Sequence, residues 1–133
     1  MSVMLGDRAV TAVARRINEE LPFPATLKVY KYERQQNLGD EYIAVNHLPF
    51  VHRGEVESGI VNVNVHVKRL ENNQPNTSRL MEIVKAVLQL FPQDTYLDGA
   101  YYNFYADSRP TRDDDNTYYI NLQFEVTFND LNY

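Results

Sequence analysis

The segment Asn116 to Phe128, NTYYINLQFEVTF, places Tyr118, Ile120, Leu122, Phe124, Val126 and Phe128 at every second position. Tyr119, Asn121, Gln123, Glu125 and Thr127 fall between them. A period of two sends alternate side chains to opposite faces of an extended chain. Only a long strand with one buried face accommodates six such alternations. A second segment repeats the constraint: Val61, Val63, Val65 and Val67 alternate with Asn62, Asn64, His66 and Lys68. β-Branched residues on one face mean that this face is buried, while the opposite face is wet or meets a partner.

Two other segments carry the helical period. Leu5, Ala9, Val13, Ile17 and Leu21 recur every four residues, beside Val10 and Ala14, and the prolines of LPFP end the run. Leu80, Ile83, Val84, Val87, Leu88 and Phe91 form a cleaner stripe, with Asn76 or Thr77 as the cap and Pro92 as the stop. Shorter strands are expected over Thr26–Glu33 and Tyr42–Asn46, with AYYNFYADS as the partner of the closing strand. The expected architecture is a single α+β domain over residues 1–133. It has a mostly antiparallel sheet of about five strands, two helices on one face and the order α-β-β-β-α-β-β. The other face would carry Asn62, Asn64, His66, Lys68, Asn121, Gln123, Glu125 and several tyrosines.

Composition removes several kinds of chemistry. There is no cysteine among the 133 residues, so disulfides, thiolate nucleophiles and cysteine-ligated zinc are excluded. That composition fits a reducing compartment. No apolar run approaches the ~18–20 residues that cross a bilayer, and the N-terminal segment lacks the pattern of a secretory signal. A net charge of −5 argues against the basic footprint of a nucleic-acid binder. Phosphate-binding loops, dinucleotide fingerprints and nucleophile elbows are absent, so an enzyme is not expected. Glu19/Glu20 and Glu55/Glu57 have no apolar setting in the sequence that would raise a carboxyl pKa.

The stretch SRPTRDDDN, residues 108–116, lies between the two long alternating runs. Asp113, Asp114 and Asp115 there suit a hairpin turn, because aspartate bonds to nearby backbone groups. A calcium loop would need spaced oxygen ligands and a glycine, which this segment lacks. Arg109 and Arg112 would balance the acids. His47, His52 and His66 show no zinc spacing, and His66 on a polar strand face is expected to be exposed, partner-facing or hydrogen-bonded. A metal-dependent enzyme using Asp113–Asp115 with His66 or His47 is the least favoured alternative. Tyr101, Tyr105 and Tyr119 are expected to face outward together, as a cross-strand cluster or a protein-binding surface.

The succession TLKVYKY, EYIAVNHLPF, GIVNVNVHVKRL, NTSRLMEIVKAVLQLF and YYNFYADSRPTRDDDNTYYINLQFEVTF resembles the tail-completion proteins of tailed bacteriophages, tail terminators and tail-to-head joining proteins. The resemblance spans nearly the whole chain through element order and texture. It implies a structural virion protein, assembled in the host cytoplasm, without cofactor or metal. Its copies would form a ring, commonly a hexamer, that caps the tail tube and meets the head connector. DNA would pass through the lumen without specific binding, and no membrane would be involved. Contacts are then expected at Arg34–Asp40, in the 47–58 connection and at the 108–116 tip. The alternative is a small adaptor or binding module acting as monomer or dimer.

Overall fold

A computed structural model describes residues 5–23, 27–32, 41–53 and 56–128. The elements are α1 (Leu5–Glu20), β1 (Lys28–Lys31), β2 (Glu41–His47), β3 (Val51–Arg53), β4 (Val56–Lys68), α2 (Thr77–Leu90), β5 (Thr95–Leu97), β6 (Ala100–Asp107), β7 (Thr111–Arg112) and β8 (Thr117–Phe128). One sheet holds all eight strands, in the order β1-β2-β4-β8-β6-β5, with β3 also on β4 and β7 also on β8.

This overturns the expected five-stranded sheet and its α-β-β-β-α-β-β order. Three added strands, β3, β5 and β7, are only two or three residues long. Pairing to a longer neighbour makes them strands, and so short a run has no periodicity to show. The sheet is also mixed: β1 runs parallel to β2, with Lys28 opposite Tyr42 and Lys31 opposite Val45. Alternation reports which faces a strand presents but not the direction of its neighbour.

β4 and β8 form the centre, paired antiparallel without interruption from Glu57 opposite Phe128 to Lys68 opposite Thr117. Each outreaches its outer neighbours. β4 therefore takes β3 along Val56–Ser58 and β2 along Val61–Val67. β8 takes β6 along Leu122–Phe128 and β7 along Tyr118–Tyr119. Val61, Val63, Val65 and Val67 join Ile120, Leu122, Phe124 and Val126 in one buried cluster with the apolar stripes of both helices. Phe124 lies 5.1 Å from the Phe91 ring at the end of α2 and 5.8 Å from Phe104 on β6. The row that includes Glu57 is buried as well; this carboxylate is 1% exposed, against the expectation that it had no apolar setting.

Polar contacts orient the helices. Asn76 caps α2, its side-chain oxygen accepting from the Arg79 N–H at 3.2 Å. The Arg79 guanidinium donates to both carboxylate oxygens of Glu41, at 2.8 and 2.5 Å, and so ties α2 to the start of β2. Its cation also lies 4.7 Å from the centre of the Phe23 ring. At the other helix, the Tyr32 hydroxyl donates to Asp7 at 2.7 Å, and Lys31 approaches the same carboxylate. Gly59 on β4 admits the Phe50 ring so closely that a Cβ there would lie 2.3 Å from it.

Two predictions come from this packing. Phe124→Ala should lower unfolding free energy by roughly 3–5 kcal/mol, because it opens a cavity where β8, β6 and α2 meet. Urea denaturation with an unchanged slope measures it. The Tyr32 phenol is pushed up to about 12, first by desolvation and then by its hydrogen bond to Asp7 and that carboxylate's charge. Its folded value lies above the unfolded one, so its contribution to stability is complete below the ordinary tyrosine pKa and is lost as pH rises through about 12. In ring-labelled NMR, Tyr32 should titrate late, well above the ordinary tyrosine pKa. Asp7→Asn should reduce that delay without abolishing it, because desolvation remains.

Candidate functional site

The polar face of the central strands is built in rows by the sheet register. Tyr42 of β2, His66 of β4, Tyr119 of β8 and Thr111 of β7 form one row. Ala44, Asn64 and Asn121 form the next, followed by Asn46, Asn62 and Gln123. Alternation places these residues on the side opposite the core valines.

The amides bond to one another across strands. Asn62 donates to Asn46 at 2.9 Å and accepts from Asn121 at 3.2 Å and Gln123 at 3.1 Å. Asn121 also donates to Asn64 at 2.8 Å. An open depression of about 400 Å³ lies over this ladder, bordered by Tyr119, Ser108 and Thr111. Asn62 and His66 are only 8% and 6% exposed. The face expected to be wet or to meet a partner is therefore covered at Asn62 and His66.

Part of that cover is the 108–116 segment, expected to be a hairpin tip and a point of contact. The chain leaves β6 at Ser108, whose N–H donates to the Asn121 carbonyl and whose hydroxyl accepts from the Asn121 N–H, both at 2.9 Å. β7 then pairs with β8, and the turn after it closes through the Asp113 N–H to the Thr117 carbonyl. Asp113 accepts from the Asp114 N–H at 2.7 Å, and Asp115 from the Thr117 N–H at 3.1 Å. These are the local backbone bonds for which aspartate is suited in turns.

The aspartates also reach outside the turn. The Tyr42 hydroxyl donates to Asp115 at 2.6 Å, and Asp113 stands 3.6 Å from His66 Nδ1. Asp114 is exposed. The His66 ring lies between Tyr42 and Tyr119, at centroid distances of 4.2 and 5.0 Å, and its Nδ1 is 3.1 Å from the Thr117 hydroxyl. That hydroxyl gives its one proton to Asp115, so Nδ1 must carry a proton to bond to the same oxygen. A nucleophile and its base would need the reverse polarity. The arrangement fastens the turn to the sheet, and it gathers the one group of His and acidic ligand atoms found close enough for a metal among the described residues: His66, Asp113 and Asp115.

The remaining expected site residues are spread over the molecule. Arg34 and Asp40 lie outside the described residues. Arg109 and Arg112 are exposed on the β6–β7 connection and β7. The 47–58 connection contains β3, paired back onto β4. Tyr101, Tyr105 and Tyr119 do not form a cluster. Tyr101 pairs with Thr127, eight positions along β8 from Tyr119, or roughly 25 Å in an extended strand. A bulge between Phe104 and Ala106 displaces Tyr105 from the register. Tyr101 instead meets Tyr96 of β5, with ring centroids 5.0 Å apart, a contact hidden from the sequence because the three residues of β5 are too few to show a period.

Tyr42→Phe removes the hydrogen bond to Asp115 and should cost about 1–3 kcal/mol in a urea titration. Asp114→Ala, one residue away, should change stability by less than about 0.5 kcal/mol.

No family model and no curated protein sequence matches this chain. Among solved structures, it is similar to a chain of the virion of a native gene transfer agent particle, with a TM-score of 0.64 and 14% identity. The likeness covers 95% of this chain and 96% of the other, and at that identity it is a likeness of fold.

Proposed function

We propose that the chain is a structural virion protein of a tailed phage or a phage-like particle, whose copies form a ring that terminates the tail tube and joins it to the head connector. The observation that carries this reading is the end-to-end likeness to a chain of a gene transfer agent virion, a phage-like particle.

The surface supports a ring. The sheet has two different ends, β1 at one and β5 with β6 at the other. A ring repeats one heterologous contact, in which unlike patches of successive copies meet. The β5–β6 end presents Tyr96, Tyr101, Phe104 and Tyr105, between 40% and 63% exposed. Beyond Tyr102, β6 has no β5 partner on its outer side among the described residues. Aromatic residues beside such an edge suit burial against another chain. The acidic balance, −5 per copy, lets DNA slide through a lumen without sticking. The tube and the connector are the remaining partners on this reading, and the exposed Asp114 with Arg109 and Arg112 offers them a mixed-charge contact.

Native mass spectrometry of the purified chain, alone and with tail tubes, tests the proposal. A closed ring, hexameric by expectation, should appear on its own or on the tubes. Tyr96→Lys with Tyr105→Lys should shift ring to monomer while leaving the melting temperature of the monomer nearly unchanged. A monomer or dimer that ignores tubes would support an adaptor instead.

A further inference from the structure

We propose that His66 Nδ1 and one carboxylate oxygen each from Asp113 and Asp115 bind a transition-metal dication of the zinc class, which locks the 113–116 turn onto β4. The proposal does not depend on the ring. All three ligand atoms lie within 4.8 Å of one another. Zinc holds nitrogen and carboxylate oxygen at about 2.0–2.2 Å, so ligand atoms around it stand roughly 3.3–3.5 Å apart. The 3.6 Å between His66 Nδ1 and Asp113 is already close to that spacing. A shift of about an ångström in the turn would complete it.

Donor chemistry selects the ion. One imidazole nitrogen with two carboxylates suits zinc, cobalt and their neighbours. Calcium takes six to eight oxygens and magnesium keeps several waters, so neither accounts for the imidazole nitrogen. Three protein ligands leave a position for water. The surroundings act as an outer shell: Tyr42 holds Asp115, the Asp114 N–H holds Asp113, and two tyrosine rings fix the imidazole plane. His66 is itself buried, at 6% exposure, and directs Nδ1 at the carboxylates. On binding, the metal replaces the proton on Nδ1.

The sequence hides the site, because the turn after β7, not a strand period, brings Asp113 and Asp115 together. Their histidine comes from a strand 47 positions earlier.

The full chain, stripped with chelator, is titrated with zinc and with cobalt(II). The expected result is one ion per chain, a cobalt absorption band from a site of nitrogen and oxygen ligands, and a melting temperature raised by roughly 5–10 °C at a hundredfold excess over Kd. Asp113→Asn, a nearly isosteric change, should weaken binding at least about tenfold and remove most of that rise, as should His66→Gln. Asp114→Asn should bind like the parent. Absence of saturable binding by either metal, or equal binding by Asp113→Asn and the parent, would overturn the proposal.

Discussion

The pairing of β4 with β8 is the constraint on which the rest depends. Twelve successive residue pairs, from Glu57–Phe128 to Lys68–Thr117, stay in one antiparallel register. A slip by a single residue would turn every core valine to the polar face and every asparagine into the core. The valine face receives both helices, while the opposite face assembles the amide ladder and the stack of Tyr42, His66 and Tyr119. One register therefore sets the hydrophobic core and the polar site together. The outer strands attach to whatever length of β4 or β8 their partners leave open.

Of the amides in that polar site Asn62 is the buried one, and it meets Asn46, Asn121 and Gln123 across the strands, which offsets the cost of removing it from water. The acidic turn adds a roof at one end, through Asp115 to Tyr42 and Asp113 beside His66. Such a network stiffens the centre of the sheet. On the proposed function this would suit a ring subunit, because its shape must repeat around the circle.

Much of this architecture is legible in the residues. The long alternations of β4 and β8 and the stripe from Leu80 to Phe91 mark their own elements, because each buries one continuous face. What escapes the eye depends on a neighbour. β3, β5 and β7 exist through pairing, and β1 takes a parallel partner that its own alternation does not name. The β6–β8 register, which sets Tyr101 opposite Thr127, and a bulge at Tyr105 break the inference that Tyr101, Tyr105 and Tyr119 share a surface. Asp113, Asp115 and His66 meet only because β7 and the turn fold back along β8. Spacing in the chain carries no sign of that meeting, although the turn-forming use of the aspartates was readable.

The functional account rests on a fold shared end to end with a virion chain and on a sheet whose two ends differ. Its most direct test is electron microscopy of particles assembled in a host from which this chain has been deleted and then restored. The account predicts filled heads and separate tails without a finished upper end, and joined particles once the chain returns. Complete, joined particles formed in its absence would contradict it.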